Sequence, residues 1–304
     1  MPCFKPLNAW RTNELTPKGK RAIAFKKSEK HYSHPIPLPC GRCIGCKLDR
    51  SLQWAIRSVN EAQLHNQNSF ITLTYSEEHL PWDGSLIKSH FQKFIRSLRR
   101  RYAHKTIRYY MCGEYGEKLS RPHYHACLFG IDFPDKEIYN DQEGIITYTS
   151  DILESIWGRG FATVGDLNFE TAAYTARYIA KKVTGEHAYN HYSSSCPHTG
   201  NPIQLEPEYS TMSRRPGLAQ DWYNKYTSDI YPSDFLIHCG KHIKVPRYYD
   251  NLYEIDNDLE EIKKARKIRA RKYKKDNTPE RLAVREKVKQ LNYKQLTRNY
   301  EHGS

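Results

Sequence analysis

The sequence lacks several features that would place it among membrane, secreted or motor proteins. No window approaches the ~18 apolar residues of a membrane span. The N-terminus, MPCFKPLNAW, lacks the charged-then-apolar pattern of a signal peptide, and no G-x4-GK[ST] nucleotide-binding loop is found. We therefore expect no membrane partner and a cytosolic protein. Its eight cysteines would then be reduced, which favours metal binding or burial over disulfides.

Acidic residues are also too few to balance the basic ones, with 34 Asp and Glu against 48 Lys and Arg. The 304 residues carry a formal charge of +14, which predicts a polyanionic partner. Most of the excess lies between Glu260 and Tyr300, where 15 Lys and Arg face 5 Asp and Glu. This helix-prone segment, interrupted at Pro279, is interpreted as a solvated charged helix, as an electrostatic arm on DNA, or as both.

Hydrophobic patterning predicts an α+β fold. A helix begins near Lys47, with Leu48, Leu52, Ala55, Val59 and Ala62 on one stripe. Strands are predicted at 69–75, 106–114, 123–131 and 160–167. Helices are predicted at 86–103, from a capping box at Asp151–Glu154 to Gly158, and at 169–185. The first six of these seven elements follow the split βαβ plan of a ferredoxin-like antiparallel sheet.

Four segments follow from this pattern. Residues 1–66 form a cysteine-rich, otherwise irregular segment with the first helix, and 67–185 form the core. Residues 186–256 are interpreted as loops with short helices, and 257–304 as the basic tail.

The stretch RPHYHACLFG (121–130) places two imidazoles on one face of a strand. Side chains alternate along a strand, so His123 and His125 point the same way and form a preformed chelate. Glu114 ends the preceding strand, and a hairpin can return it beside the histidines. Glu117 ranks second, His104 and His79 are weaker candidates, and a purely structural role for the histidines stays open.

The helix AAYTARYIAKK carries two tyrosines four residues apart. Tyr174 and Tyr178 therefore share a helical face, and Lys181 follows on an adjacent part of it. A buried aromatic stripe is the alternative. With a metal nearby, a phenol can attack a DNA phosphodiester and retain one end as phosphotyrosine. A cationic Lys181 would lower the phenol's pKa or stabilise the phosphate, and two tyrosines permit a second cut while the first adduct persists.

These motifs resemble the HUH endonucleases, and among them the rolling-circle replication initiators of gokushovirus-type microviruses. FITLTY (70–75) resembles their first motif, RPHYHACLFG their metal motif and YTARYIAKK their paired-tyrosine motif. Two further segments also resemble the initiators of this viral group: PCGRCIGCKLDRSLQWAIR and SRRPGLAQDWYNKY. The resemblance, which spans most of residues 1–250, implies origin nicking of viral DNA, a 5′-phosphotyrosine link, a free 3′-OH and a catalytic Mg²⁺ or Mn²⁺. It also implies a host helicase and polymerase as partners, in a bacterial cytoplasm.

Three thiols at Cys40, Cys43 and Cys46 indicate a second metal site, because this regular spacing resembles zinc motifs. Cys3 is our choice for the fourth ligand, with His31 and His34 as alternatives. Structural Zn²⁺ would order the irregular N-terminal segment; an iron–sulfur cluster and plain reduced thiols remain alternatives.

Several arginines are candidate phosphate contacts, with solvated surface positions as the alternative. They are Arg96, Arg99, Arg100, Arg177, Arg214 and Arg215. Two other hypotheses about function compete with that of a nickase. One is a transposase or relaxase of the same superfamily, and the other is a non-catalytic, zinc-stabilised DNA- or RNA-binding protein.

Overall fold

The fold is known from a computed structural model. It describes residues 3–17, 19, 21–28, 32, 34–116, 119–142, 144–196 and 200–295, apart from the side chains of Gln142, Ile179 and Ala180. Glu117 and His31, two candidate ligands, lie outside the described residues. No helix of the described part combines the length and apolar character needed to cross a membrane.

The described residues form strands and helices in a mixed order. The strands are β1 (Leu7–Leu15), β2 (Arg21–Ala24), β3 (Ile36–Leu38), β4 (Asn68–Thr74), β5 (Arg108–Tyr115), β6 (Pro122–Phe129), β7 (Glu137–Gln142), β8 (Ile145–Thr149), β9 (Ala162–Gly165), β10 (Ser193–Ser195), β11 (Pro202–Gln204), β12 (Tyr209–Met212), β13 (Leu236–His238) and β14 (Lys241–Ile243). The helices are α1 (Ile44–Ala62), α2 (Lys88–Arg101), α3 (Asp151–Trp157), α4 (Phe169–Lys181), α5 (Ala188–Tyr192), α6 (Gln220–Ile230), α7 (Arg247–Asp256), α8 (Glu260–Arg271) and α9 (Pro279–Lys294).

The chain forms two compact units. One contains Met1–Arg50 and Glu260–Leu296, so it combines β1 to β3 with α8 and α9; the other contains Ser51–Leu259. In the first unit, the antiparallel β1 to β3 occupy a segment that we predicted to be irregular. The pairings within this small sheet were missed because the segment has no strong alternation.

A seven-stranded antiparallel sheet dominates the second unit, in the order β12-β5-β6-β4-β9-β8-β7. This confirms the expected α+β class with a large antiparallel sheet. The four strands predicted from sequence are neighbours in the order β9-β4-β6-β5, the order of a split βαβ unit. The hairpin β7–β8 and the edge strand β12 extend the sheet and were not predicted.

Helices cover both faces of this sheet. On one face, α2 buries the expected Phe91, Phe94, Ile95 and Leu98. Each such side chain contributes roughly 1.5–3 kcal/mol of burial free energy. The other face is covered by α4 and by the part of α1 that belongs to this unit. Side chains of β4, β5 and β6 that point to this second face lie between the sheet and α4.

Two local expectations were wrong. The N-cap of α3 is Ser150, whose hydroxyl accepts a hydrogen bond from the Leu153 amide, rather than Asp151. On α1, Leu52 is 37% exposed, whereas Glu61 is buried at 3%. The apolar stripe of α1 is therefore shifted, because charged partners elsewhere in the fold allow polar side chains to be buried.

Candidate functional site

The site begins with the pairing of β5 and β6. In their antiparallel register Glu114 lies opposite His123, and Cys112 lies opposite His125. Glu114, His123 and His125 therefore point to the face covered by α4. The structure brings Glu114, the first-ranked candidate for a third ligand, to both histidines. His79 and His104 are exposed and belong to no such group among the described residues.

The three side chains converge on one point. The Nε2 atoms of His123 and His125 each lie 2.9 Å from Oε1 of Glu114. The three ligand atoms lie within 4.8 Å of one another, and all three residues are buried. Two imidazole nitrogens and one carboxylate oxygen suit a divalent cation of the Mn²⁺ type, so the residues present fit a metal site.

The ring nitrogens that face away from this point have partners of their own. Nδ1 of His123 lies 3.1 Å from the carbonyl oxygen of Arg121, which can only accept a hydrogen bond. Nδ1 of His123 therefore donates to that carbonyl, and the Nε2 lone pair would be available to a metal bound at the site. Nδ1 of His125 lies 2.9 Å from the hydroxyl of Thr72 on β4, a partner that our sequence reasoning missed.

Glu114 is held ionised. Burial would raise the pKa of its carboxyl, but the charge and hydrogen bonds of His123 and the hydrogen bond of His125 lower that pKa to about 2. The second carboxylate oxygen, Oε2, accepts a hydrogen bond from Nζ of Lys181 at 3.1 Å. The carboxylate therefore links the two histidines of the sheet to the lysine of α4.

Helix α4 brings both tyrosines to the histidines. The helix begins with a capping box between Asn168 and Thr171. The Tyr178 ring stacks on His125 with centroids 5.5 Å apart, and the Tyr174 ring meets His125 edge-on at 5.0 Å. The two phenol rings are 4.9 Å apart. The shared helical face predicted from their spacing thus lies against His125.

Cations accompany the phenols, and the phenols themselves are covered. Nζ of Lys181 lies 4.3 Å from the centroid of the Tyr178 ring, and the Arg177 guanidinium lies 5.7 Å from that of Tyr174. Tyr174 and Tyr178 are only 2% and 4% exposed. A phosphodiester can therefore reach either hydroxyl only when the side chains around it move.

The cysteines form a second group in the other unit. Cys3, Cys40, Cys43 and Cys46 have sulfur atoms within 4.8 Å of one another, and Sγ of Cys43 lies 3.9 Å from Sγ of Cys3. Four sulfurs around one Zn²⁺ at ~2.3 Å would be about 3.8 Å apart, so this geometry fits a tetrahedral metal. His34 is exposed and is not part of the group.

Backbone amides surround these sulfurs. The amides of Phe4, Cys40 and Cys43 donate to Sγ of Cys43, Cys3 and Cys40, each at 3.3 Å. Burial raises the pKa of the Cys43 thiol, but hydrogen bonds, first among them that from the Phe4 amide, lower it to about 7. Thiolate is the form that binds metal, and the lowered pKa favours that form at Cys43, whereas burial raises the pKa of the Cys3 and Cys46 thiols.

The predicted phosphate-binding arginines do not form one cluster. Arg96 and Arg100 are exposed on α2, and Arg177 lies beside Tyr174. Arg99, Arg214 and Arg215 line a common groove, away from the histidines. The grouping of α2 with the segment after β12 could not be found from sequence, because more than a hundred residues separate them.

The chain is similar to known replication-associated proteins. Residues 68–183 match the family described as Replication-associated protein ORF2/G2P. The chain is 37% identical to Replication-associated protein ORF2 of Spiroplasma virus 4, over 76% of this chain and 72% of that protein. It is 29% identical to Replication-associated protein VP4 of Bdellovibrio phage phiMH2K, over 84% and 78% of the two chains. Replication-associated protein ORF4 of Chlamydia phage 1 is 29% identical over 71% of this chain and 53% of its own. No solved structure matches the chain significantly.

Proposed function

This chain belongs to the replication-associated proteins of gokushovirus-type microviruses, and from that premise we propose that it is an HUH-type DNA nickase that initiates rolling-circle replication. The contact of Tyr174 and Tyr178 with His125 of a Glu-His-His group carries this proposal. In a purely structural aromatic stripe, the phenols would have no reason to lie beside a set of metal-ligating atoms.

In this proposal Glu114, His123 and His125 hold a Mg²⁺ or Mn²⁺ ion. When bound, the ion would polarise the non-bridging oxygens of the scissile phosphate. Glu114 is ionised, and its contact with Lys181 fixes the orientation of the carboxylate. The imidazoles are oriented by Thr72 and by the carbonyl of Arg121.

The phenol oxygen of Tyr174 or Tyr178 would attack the phosphorus atom. A bond forms between that oxygen and phosphorus, the bond from phosphorus to the 3′ oxygen breaks, and the phenol proton passes to water. The leaving 3′ oxygen takes up a proton and becomes the 3′-OH primer, while the 5′ phosphate stays on tyrosine. Lys181, close to the Tyr178 ring, stabilises negative charge on the phenol oxygen or the phosphate.

The remaining parts of the proposal follow from this reaction. The substrate is the origin of the viral DNA in a bacterial cytoplasm, and host helicase and polymerase extend the new 3′-OH. A structural Zn²⁺ orders the N-terminal segment and is held by four cysteines, Cys3, Cys40, Cys43 and Cys46.

Covalent trapping tests the proposal. The protein is mixed with a pool of random single-stranded DNA and Mn²⁺, denatured in detergent and examined for a shifted band. We expect an adduct that disappears with EDTA, with His123→Ala and with the Tyr174→Phe/Tyr178→Phe double change, but survives at least one single Phe change. If neither the pool nor the virus's own replicative DNA yields an adduct while DNA still binds, the protein is a non-catalytic binder.

A further inference from the structure

A basic groove lies where β5 begins, in the unit that contains the Glu-His-His group. It encloses about 950 Å³ between the C-terminal end of α2, the start of β5 and the segment that follows β12. Among the described residues that line it, none is Asp or Glu. The cationic side chains of its lining are Arg99, Lys105, Arg108, Arg214 and Arg215.

This concentration of positive charge does not follow from the composition of the unit. Ser51–Leu259 contains 22 Lys and Arg against 25 Asp and Glu, so it is slightly acidic overall. The Arg108 charge is offset by its ion pair with Glu61, which leaves four cations in the groove. In a chain whose surplus lies elsewhere, four cations without a carboxylate among them form a local anion-binding surface.

The wall that carries Arg214 and Arg215 is firmly held. Ser213 continues the pairing of β12 with β5, because its amide donates to the Tyr109 carbonyl at 3.0 Å. Nη2 of Arg108 donates to the Pro216 carbonyl at 3.0 Å, and the Arg57 guanidinium donates to that of Leu218. The exposed arginine pair thus projects from a segment anchored on both sides.

The opposite wall presents an oriented guanidinium. Nε and Nη2 of Arg99 donate to the Ile107 carbonyl at 3.1 and 2.8 Å, which fixes the plane of the group and leaves Nη1 for another acceptor. Oγ of Ser213 accepts from the Tyr109 amide and retains its own proton as a donor. The Tyr109 ring contacts the Phe91 ring and the Arg99 guanidinium.

We propose that this groove binds the phosphate backbone of DNA about 20 Å from the nicked bond. The distance follows from β5, which carries Arg108 at one end and Glu114 six residues later, at ~3.4 Å a residue. A span of ~20 Å corresponds to about six base pairs of duplex. The placement relative to the nick rests on the proposed nickase function, whereas DNA binding by the groove does not.

Salt dependence of DNA binding tests the groove directly. Binding of a 30-base-pair duplex and of a 30-nucleotide single strand, both of arbitrary sequence, is measured by fluorescence anisotropy in EDTA. The variants are Arg214→Gln/Arg215→Gln and a control, Lys225→Gln/Lys241→Gln. The control removes the same charge from exposed sites on α6 and β14. EDTA prevents metal-dependent cleavage, so this result and that of the trapping assay are independent.

We expect only the groove variant to lower the slope of log K against log salt. Loss of two phosphate contacts should reduce its magnitude by about 1.8 on duplex or about 1.4 on single-stranded DNA, and the DNA that shows the change identifies the form bound. If Arg214→Gln/Arg215→Gln lowers the unfolding midpoint, Lys105→Gln on the other wall replaces it, with an expected change of about 0.9 on duplex. An unchanged slope in the groove variant, or an equal change in the control, would overturn the proposal.

Discussion

Single hydrogen bonds orient the imidazoles of the Glu-His-His group. His123 is held by a backbone carbonyl, which no substitution at Arg121 removes, but His125 depends on the Thr72 hydroxyl. When Nε2 of His125 binds a metal, Nδ1 of that ring carries the proton and donates a hydrogen bond to the Thr72 hydroxyl. This tautomer is the neutral one in which the Nε2 lone pair is free.

Thr72→Val should therefore weaken Mn²⁺ binding by roughly 10- to 100-fold while leaving the fold intact, since partners of this kind fix ring orientation and ligand basicity. Isothermal titration with Mn²⁺ measures the change. Thr74→Val is the matched control, because Thr74 lies on the same strand and its hydroxyl donates to the Phe161 carbonyl instead. Equal affinities in the two variants would show that Thr72 does not position His125.

The proximity of Glu114, His123 and His125 was predictable because its signal is local. His123 and His125 follow from strand alternation, and Glu114 follows from the hairpin that joins β5 to β6. Thr72 was missed because its position depends on the register of β4 against β6, a pairing across more than fifty residues. Lys181 was placed near the phenols, but its bond to Glu114 depends on how α4 lies on the sheet.

Among the elements, α1 shows how a helix can be anchored by polar side chains. Glu61 forms a buried ion pair with Arg108 at the start of β5 and accepts from the Ala219 amide at 2.5 Å. It also contacts His65, three residues after the end of α1. One carboxylate thus connects α1, β5 and the segment that shapes the basic groove.

Glu61→Gln should lower the free energy of unfolding by about 3–5 kcal/mol at neutral pH, because it leaves Arg108 buried without its counter-charge. Burial raises the pKa of Glu61, but hydrogen bonds from His65 and Ala219 and the charge of Arg108 lower it below its ordinary value. A lowered folded-state pKa gives stability that is present above the unfolded pKa of ~4.3 and is lost as pH falls. The difference between wild type and variant, measured by urea unfolding, should shrink below that pH; a constant difference would contradict this account.

Elements with regular patterns were predictable, whereas those that depend on distant pairing were not. Helical periodicity predicts the buried face of α2, which is formed by Phe91, Phe94, Ile95 and Leu98. The edge strand β12 comes from a segment interpreted as loops, and it becomes a strand by pairing with β5. On α1, the burial of Glu61 could not be read from a hydrophobic stripe, because it requires Arg108 and Ala219.

The whole chain combines two units with different compositions. Ser51–Leu259 contains the sheet and is slightly acidic, whereas Met1–Arg50 and Glu260–Leu296 contain the cysteine group and most of the positive charge. In Met1–Arg50, β2 and β3 are short, and most residues of the three strands are exposed or half-buried. A metal bound by the four cysteines would therefore be a principal source of order there.

Cys40→Ser should abolish the binding of one Zn²⁺ per chain and make Met1–Arg50 sensitive to limited proteolysis, because three ligands do not close a tetrahedral site. Zinc is measured by elemental analysis of the purified protein, and cleavage sites by mass spectrometry. Cys239→Ser is the control, since Cys239 is exposed and belongs to the other unit. Retention of one zinc by Cys40→Ser would contradict the assignment.

The account as a whole depends on covalent attachment of DNA to the tyrosines of α4. The most direct measurement is mass spectrometry of the peptide that carries a nucleotide remnant after metal-dependent trapping and nuclease digestion. We predict that the remnant lies on Tyr174 or Tyr178, joined through a 5′ phosphate. A remnant on any other residue, or none from DNA that binds in the presence of Mn²⁺, would contradict the account.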